Sequence, residues 1–225
     1  MARILLLETS AATLSVALAD GDTLLASRLC EEPRRQASLT APLVQEVLHE
    51  SGLSIKDCDA VCVSKGPGSY TGLRVGVSTA KGLAFGAGKP LLSVCTLDIL
   101  AAAAGDGPWK YVIPMIDARR MEVYTAVYSP EGKRLTPVEA RVIQADSFAE
   151  QRADGPVLFL GDGALKCQDL LAGPSVHFRK AHPLATDMVA LAQQAYEEKR
   201  FEDLAYFEPF YLKDFIATVS RKSLF

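Results

Sequence analysis

The residues of this chain best suited to chemistry sit in one run, Gly66-Pro67-Gly68-Ser69-Tyr70-Thr71-Gly72-Leu73-Arg74-Val75-Gly76. An apolar stretch at 59–65 precedes it and reads as a buried strand, and a helical pattern follows to about Ala87. A strand, a glycine turn and a helix N-terminus in succession are how α/β proteins build a site for an anion or a close-packed partner. The turn needs glycine because its backbone must take positive φ and let another group approach without a Cβ in the way. Glu8 and Ser10, at the end of the first apolar stretch, join Gly66, Gly68, Ser69 and Arg74 as a candidate nucleotide or anion loop. The run is neither a Walker A, which needs Gly-Lys-Ser/Thr, nor Gly-x-Gly-x-x-Gly, because position 71 is threonine.

Other chemistry is mostly excluded. Ser78-Thr79-Ala80-Lys81 matches Ser-x-x-Lys, but its companion Ser-Asp-Asn and Lys-Thr-Gly motifs are missing and it falls mid-helix. His49, His177 and His182 form no His-x-x-x-His pair, so a metallopeptidase helix cannot be assembled. Cys30, Cys58, Cys62, Cys95 and Cys167 are odd in number and lie mostly in apolar runs, which fits reduced, buried thiols in a cytosolic protein. Two strand-end acids, Glu8 and Asp117, either flank a metal–nucleotide or cap the turns they precede. No catalytic residue and no metal site are expected.

The elements that position these residues come in two similar sets. Residues 3–8 are apolar and end in an acid, 13–19 and 22–30 complete a meander, and the glycine unit follows. Later, 111–117 is again apolar and ends in an acid, with strands expected at 121–128 and 133–143. A short helix is expected at 146–152, and a second strand-plus-glycine unit closes at Gly161-Asp162-Gly163. Duplicated β-β-β-α-β-α units signify an α/β fold of the actin, Hsp70 and sugar-kinase architecture, with two ribonuclease-H-like lobes and the second reduced. The small-residue stretch at 103–108 sets the boundary, giving a first lobe at 1–104 and a second at 105–225, with the last helix expected back on the first lobe. At 49% hydrophobic and 23% charged residues the composition is globular, and a net charge of −3 argues against nucleic-acid binding by this chain alone. No apolar run approaches the ~20 residues of a membrane span. The apolar run at 4–7 is too short for a secretory signal, so a cytoplasmic setting is expected.

Residues 36–50 form an amphipathic pattern with Leu39, Leu43, Val44, Val47 and Leu48 on one face. The glycine-loop helix repeats Gly72, Gly76, Ala80, Ala84 and Gly88 every four residues, with Gly82 and Gly86 added. Interior glycine costs about 1 kcal/mol against alanine, so close packing must offset it. That packing is onto this chain's own sheet, onto another subunit, or both. The candidate partner interface comprises Leu39, Leu43, Val47, Gly72, Val75, Gly76, Thr79, Ala80 and Leu83. A charge at Gly76 or Leu43 is then expected to abolish partner binding without unfolding the chain.

Together, Glu8-Thr9-Ser10, the 66–76 segment, Asp117-Ala118-Arg119-Arg120-Met121-Glu122-Val123-Tyr124, Gly161-Asp162-Gly163 and Pro209-Phe210-Tyr211-Leu212-Lys213 carry a family likeness. On these residues the chain closely resembles the TsaB (YeaZ) family of tRNA threonylcarbamoyladenosine biosynthesis. The resemblance runs nearly end to end, and it implies a non-catalytic, activating subunit that pairs with the metal-bearing paralogue TsaD. TsaD transfers threonylcarbamoyl to the adenosine beside the anticodon. The resemblance also implies pairing through first-lobe helices, the ATPase TsaE as a third component, a homodimer in isolation, and tRNA contact only through the complex. No cofactor is implied for this chain alone; ATP or ADP is implied at the junction with TsaD. The older label glycoprotease-like finds no peptidase residues here. Two positions depart from the family's pattern: Gln36-Ala37-Ser38 replaces a His-Ser-Glu-like helix start, and Lys213 stands where arginine is usual. The alternative from the residues themselves is a stand-alone actin-like ATPase or phosphotransferase.

Overall fold

The computed structural model describes residues 1–213. Its strands are β1 (Arg3–Glu8), β2 (Leu14–Asp20), β3 (Thr23–Cys30), β4 (Ala60–Gly66), β5 (Leu91–Cys95), β6 (Tyr111–Asp117), β7 (Glu122–Thr125), β8 (Glu139–Val142), β9 (Val157–Leu160), β10 (Val176–Arg179) and β11 (Phe201–Glu202). Between them run α1 (Gln36–Glu50), α2 (Tyr70–Ala87), α3 (Thr96–Ala102), α4 (Ala149–Asp154), α5 (Gln168–Leu171) and α6 (Val189–Glu197). One sheet has the order β11-β5-β4-β1-β2-β3 and the other β10-β9-β6-β7-β8. Leaving out β11, the two sheets share one plan. β1 pairs antiparallel with β2 and parallel with β4, just as β6 pairs antiparallel with β7 and parallel with β9. The duplication seen in the sequence is therefore one of topology, and the fold is the two-lobed actin, Hsp70 and sugar-kinase architecture.

Each face of the first sheet has its own cover. Leu5, Leu7, Val61 and Val63 pack beneath Leu43, Val44 and Val47 of α1 and Val77, Ala80 and Ala84 of α2. The opposite face, with Ile4, Leu6, Cys62 and Leu92, meets Ala185, Met188, Ala192 and Ala195 from the last third of the chain. Gln193, buried in α6, locks this return: its Nε2 donates to the Ala2 and Gly21 carbonyls at 2.6 and 3.0 Å, and its Oε1 accepts from Ala2 N.

The second lobe differs in detail from the expectation. The strands foreseen at 121–128 and 133–143 shrink to β7 and β8, joined between them by a bridge from Tyr128 to Arg134. Pro137 has no N–H to give the ladder, and nearby Val127 N donates to the Thr136 side-chain hydroxyl rather than to a ladder carbonyl. The short helix begins at Ala149, later than foreseen. Phe148 takes a left-handed conformation (φ 57°) that puts its ring 5.6 Å from that of Phe159 in the lobe's core. No helix of the described residues is long and apolar enough to cross a membrane. Cys58, Cys62, Cys95 and Cys167 are buried free thiols, and burial pushes Cys58 up to about 11.

After β11, residues 203–213 run as an irregular strap across both lobes. Lys81 of α2 donates to the Ala205 and Phe207 carbonyls, and Phe210 N donates to Lys65 O at 2.7 Å. The Tyr211 ring lies 4.9 Å from that of Tyr70, and Lys213 pairs with Glu122 of β7.

Candidate functional site: the glycine segment and the helix pair

Three separate demands fix the glycines of the 66–76 segment. Gly66 has φ +110°, and a Cβ there would stand 2.7 Å from Phe210 O of the strap. Gly68 rests on Ser10, whose carbonyl would be 2.4 Å from an added Cβ. Gly72 and Gly76 rest on Thr9: a Cβ would come within 2.1 Å of its carbonyl oxygen and of its Oγ1, respectively. Hydrogen bonds hold the contact from both sides. Ser69 N donates to Ser10 O at 2.7 Å, and Thr9 Oγ1 donates to Gly72 O at 2.8 Å. Ser69 Oγ caps α2 by accepting from Gly72 N. So the helix N-terminus meets the β1–β2 turn, and Ser69 N and Gly72 N donate to the protein's own oxygens. Arg74 is turned outward over the Tyr70 ring, 4.2 Å from its centroid, with Nε donating to Tyr211 Oη.

Glu8 does not face this loop as a free carboxylate. It is fully buried, and its Oε1 accepts from Ser10 N and Ser10 Oγ at 2.5 and 2.6 Å. Its Oε2 and the Ser64 hydroxyl lack a hydrogen-bond partner of good geometry among the described residues. Burial pushes this carboxyl up to about 7 against the opposing pull of the Ser10 donors, and the charge of Asp187 adds to the rise. The folded chain thus holds the proton more tightly than the unfolded chain. Its stabilising contribution is complete below the unfolded pKa near 4.5 and is lost as pH rises through about 7. Glu8→Gln is therefore expected to flatten that slope and to make the chain more stable than the parent at pH 8, by on the order of 3 kcal/mol. Urea melts of both at about pH 5 and pH 8 check this; parent stability that rises across the window would refute a protonated Glu8.

The matching corner of the second lobe is also internally paired. Asp117 pairs with Lys166, whose Nζ also donates to the Arg120 and Glu122 carbonyls at 2.7 Å. Asp117 Oδ1 accepts from Arg119 N, and Asp162 Oδ1 accepts from Asp117 N. Burial raises the Asp162 carboxyl above its ordinary range. Both strand-end acids thus serve the turns of their own lobes.

The helix pair divides the candidate interface residues. Leu43, Val47, Gly72, Gly76 and Ala80 are buried inside the chain, so a charge at Gly76 or Leu43 strikes the core and cannot test a surface without unfolding risk. Leu39, Val75, Thr79 and Leu83 are half-buried. The open face of α2 carries Ser78, Gly82, Phe85 and Gly86, with Phe85 79% exposed. A Cβ at Gly82 or Gly86 would meet no described atom within 4 Å, so packing among the described residues does not require either glycine. Phe85 escaped the sequence reading; its spacing from Gly82 and Gly86 was the only available signal. Gln36, at the departure from the family pattern, is buried and donates from Nε2 to the Ala11 and Ala12 carbonyls, tying α1 to the β1–β2 turn.

Residues 33–220 match the family model described as TsaD, tRNA N6-adenosine threonylcarbamoyltransferase. The tRNA threonylcarbamoyladenosine biosynthesis protein TsaB of Escherichia coli (strain K12) is 33% identical over 228 residues, covering 96% of each chain. The protein of the same name from Bacillus subtilis (strain 168) is 37% identical over 163 residues, 70% of each. Among solved structures, YeaZ from Pseudomonas aeruginosa is similar with a TM-score of 0.84 at 28% identity, covering 94% of this chain and 100% of the other. With the duplicated lobes, the glycine segment against Thr9 and these matches in agreement, the chain belongs to the TsaB (YeaZ) family, within the broader TsaD-type family that its residues 33–220 match.

Proposed function

We propose that this chain is the non-catalytic, activating subunit of a bacterial assembly that forms threonylcarbamoyladenosine in tRNA, with TsaD as its transferase partner. The observation that carries the reading is the open face of α2. Interior glycines at 82 and 86 each cost about 1 kcal/mol against alanine, nothing among the described residues needs them, and an exposed phenylalanine stands between them. A helix from another subunit that approaches closely accounts for all three. In isolation the same face pairs with a second copy, and TsaE and tRNA join through the complex. Nucleotide, where bound, lies at the junction with TsaD. A stand-alone ATPase has less support, because Glu8 and Asp117 are engaged by Ser10 and Lys166. The setting is cytoplasmic, in keeping with four buried free thiols.

A reconstituted transfer assay tests the reading. It combines tRNA, threonylcarbamoyl-adenylate, TsaE with ATP, and cognate TsaD, with and without this chain. Modification is expected only when both TsaD and this chain are present. Full modification without the chain would end the proposal.

A further inference from the structure

A cavity of about 480 Å³ opens where β4, β5, α3, α6, the segment before β8 and the strap meet. This is within the size range of small-molecule sites. None of Ser10, Gly68, Ser69 and Arg74 lines it, so it is separate from the glycine loop. Its lining carries three cationic side chains, Lys65, Arg134 and Arg200, against one carboxylate, Asp98. That is an excess of positive charge inside a chain whose net charge is −3.

The three cations are not equivalent. Arg134 is held by Asp98, with Nη2 2.6 Å from both carboxylate oxygens. Arg200 Nε donates to Glu198 at 2.6 Å. Lys65, one of the lining residues, has no side-chain hydrogen-bond or ion partner among the described residues. The same lining includes the apolar side chains of Val94, Leu191 and Phe210, while its acceptor side chains, Ser93 and Asp98, are engaged with Glu202 and Arg134. A half-buried lysine without a counter-charge, in a cavity that also carries apolar walls, selects a molecule with one anionic end and an apolar body. The charge satisfies the lysine and the body leaves water.

We propose that this cavity binds a small organic anion, a carboxylate or a phosphate, with its charged group on Lys65 and its body against Val94, Leu191 and Phe210. Phe210 belongs to the strap, and its N–H is bonded to Lys65 O. The ligand therefore touches the segment that also holds Tyr70 and Lys81 of α2. The proposal does not depend on the identity of the transferase partner.

The test uses the full chain and three probes of one shape: phenyl phosphate, phenylacetate and neutral 2-phenylethanol, titrated by calorimetry at low salt. At least one of the two anions is expected to bind with Kd of about 1 mM or tighter, and 2-phenylethanol about tenfold more weakly or worse. Preference for one anion over the other names the source as an organic phosphate or an organic acid. Lys65→Met, at a half-buried position, is expected to keep the parent's melting temperature and weaken the anion about tenfold. Leu191→Trp fills the cavity and is expected to abolish binding. Failure of both anions to bind, or parent-like binding by Lys65→Met, would overturn the proposal.

Discussion

Gly72→Ala is expected to destabilise the chain by about 3 kcal/mol, while Gly82→Ala in the same helix is expected to stabilise it by about 1 kcal/mol. Each variant adds one methyl group to α2. At position 72 the methyl would stand 2.1 Å from the Thr9 carbonyl oxygen. That oxygen is backbone, pinned by the bonds from Thr9 Oγ1 to Gly72 O and from Ser69 N to Ser10 O, so it cannot swing aside. The clash outweighs the alanine's gain in helix propensity. At position 82 no described atom lies within 4 Å of the new Cβ, and only the propensity gain remains. Chemical denaturation of the two purified variants reads the opposite signs directly. Equal effects would show that α2 does not rest on the β1–β2 turn.

The second large effect is on activation of the partner, with the fold of the single chain unchanged. Gly82→Leu, combined with Phe85→Asp, is expected to lower partner-dependent tRNA modification about thirtyfold or more, as loss of a 2 kcal/mol interface anchor does. The leucine places a branched side chain where close helix approach is proposed, and the aspartate removes the exposed ring and adds a charge. Both positions are exposed on the single chain, so its own fold should hold, while self-pairing of the isolated protein through this face should be lost. Co-elution with TsaD and the transfer assay, read side by side, separate lost contact from lost fold. Undiminished modification by the double variant would move the interface away from this face.

The same contrast shows what the amino-acid order reveals. The bounds of α1 and α2 were legible because amphipathic periodicity and the strand-then-glycine-turn order before α2 mark them locally; in the structure Ser69 caps α2 and Gly88 ends it in a left-handed conformation. Duplication was legible too, since acid, turn and glycine recur in order. Direction was not. Small residues occur on both the buried face of α2 (Gly72, Gly76, Ala80, Ala84) and its open face (Ser78, Gly82, Gly86), and spacing alone cannot say which one meets the sheet. Glu8 read as a candidate ligand for the same reason: its strand-end position is local, but its burial against Ser10 and Ser64 depends on neighbouring elements. The cavity beside Lys65 gathers side chains from 65 to 210, so no window of sequence contains it.

The return of α6 to the first sheet has a consequence for how the molecule is made. Ile4, Leu6 and Cys62 are among the earliest apolar residues synthesised, yet their cover is Ala185, Met188, Ala192 and Ala195. The lock between Gln193 and Ala2 spans 191 positions of chain. On the ribosome that face of the sheet exists before its lid does, so the lobe cannot close domain by domain in the order of translation. Native contacts of such long separation are slow to form, because loop-closure entropy is lost before any burial is gained. During that interval one apolar face and the β5 edge, which β11 later occupies, remain open to chaperones and to other chains.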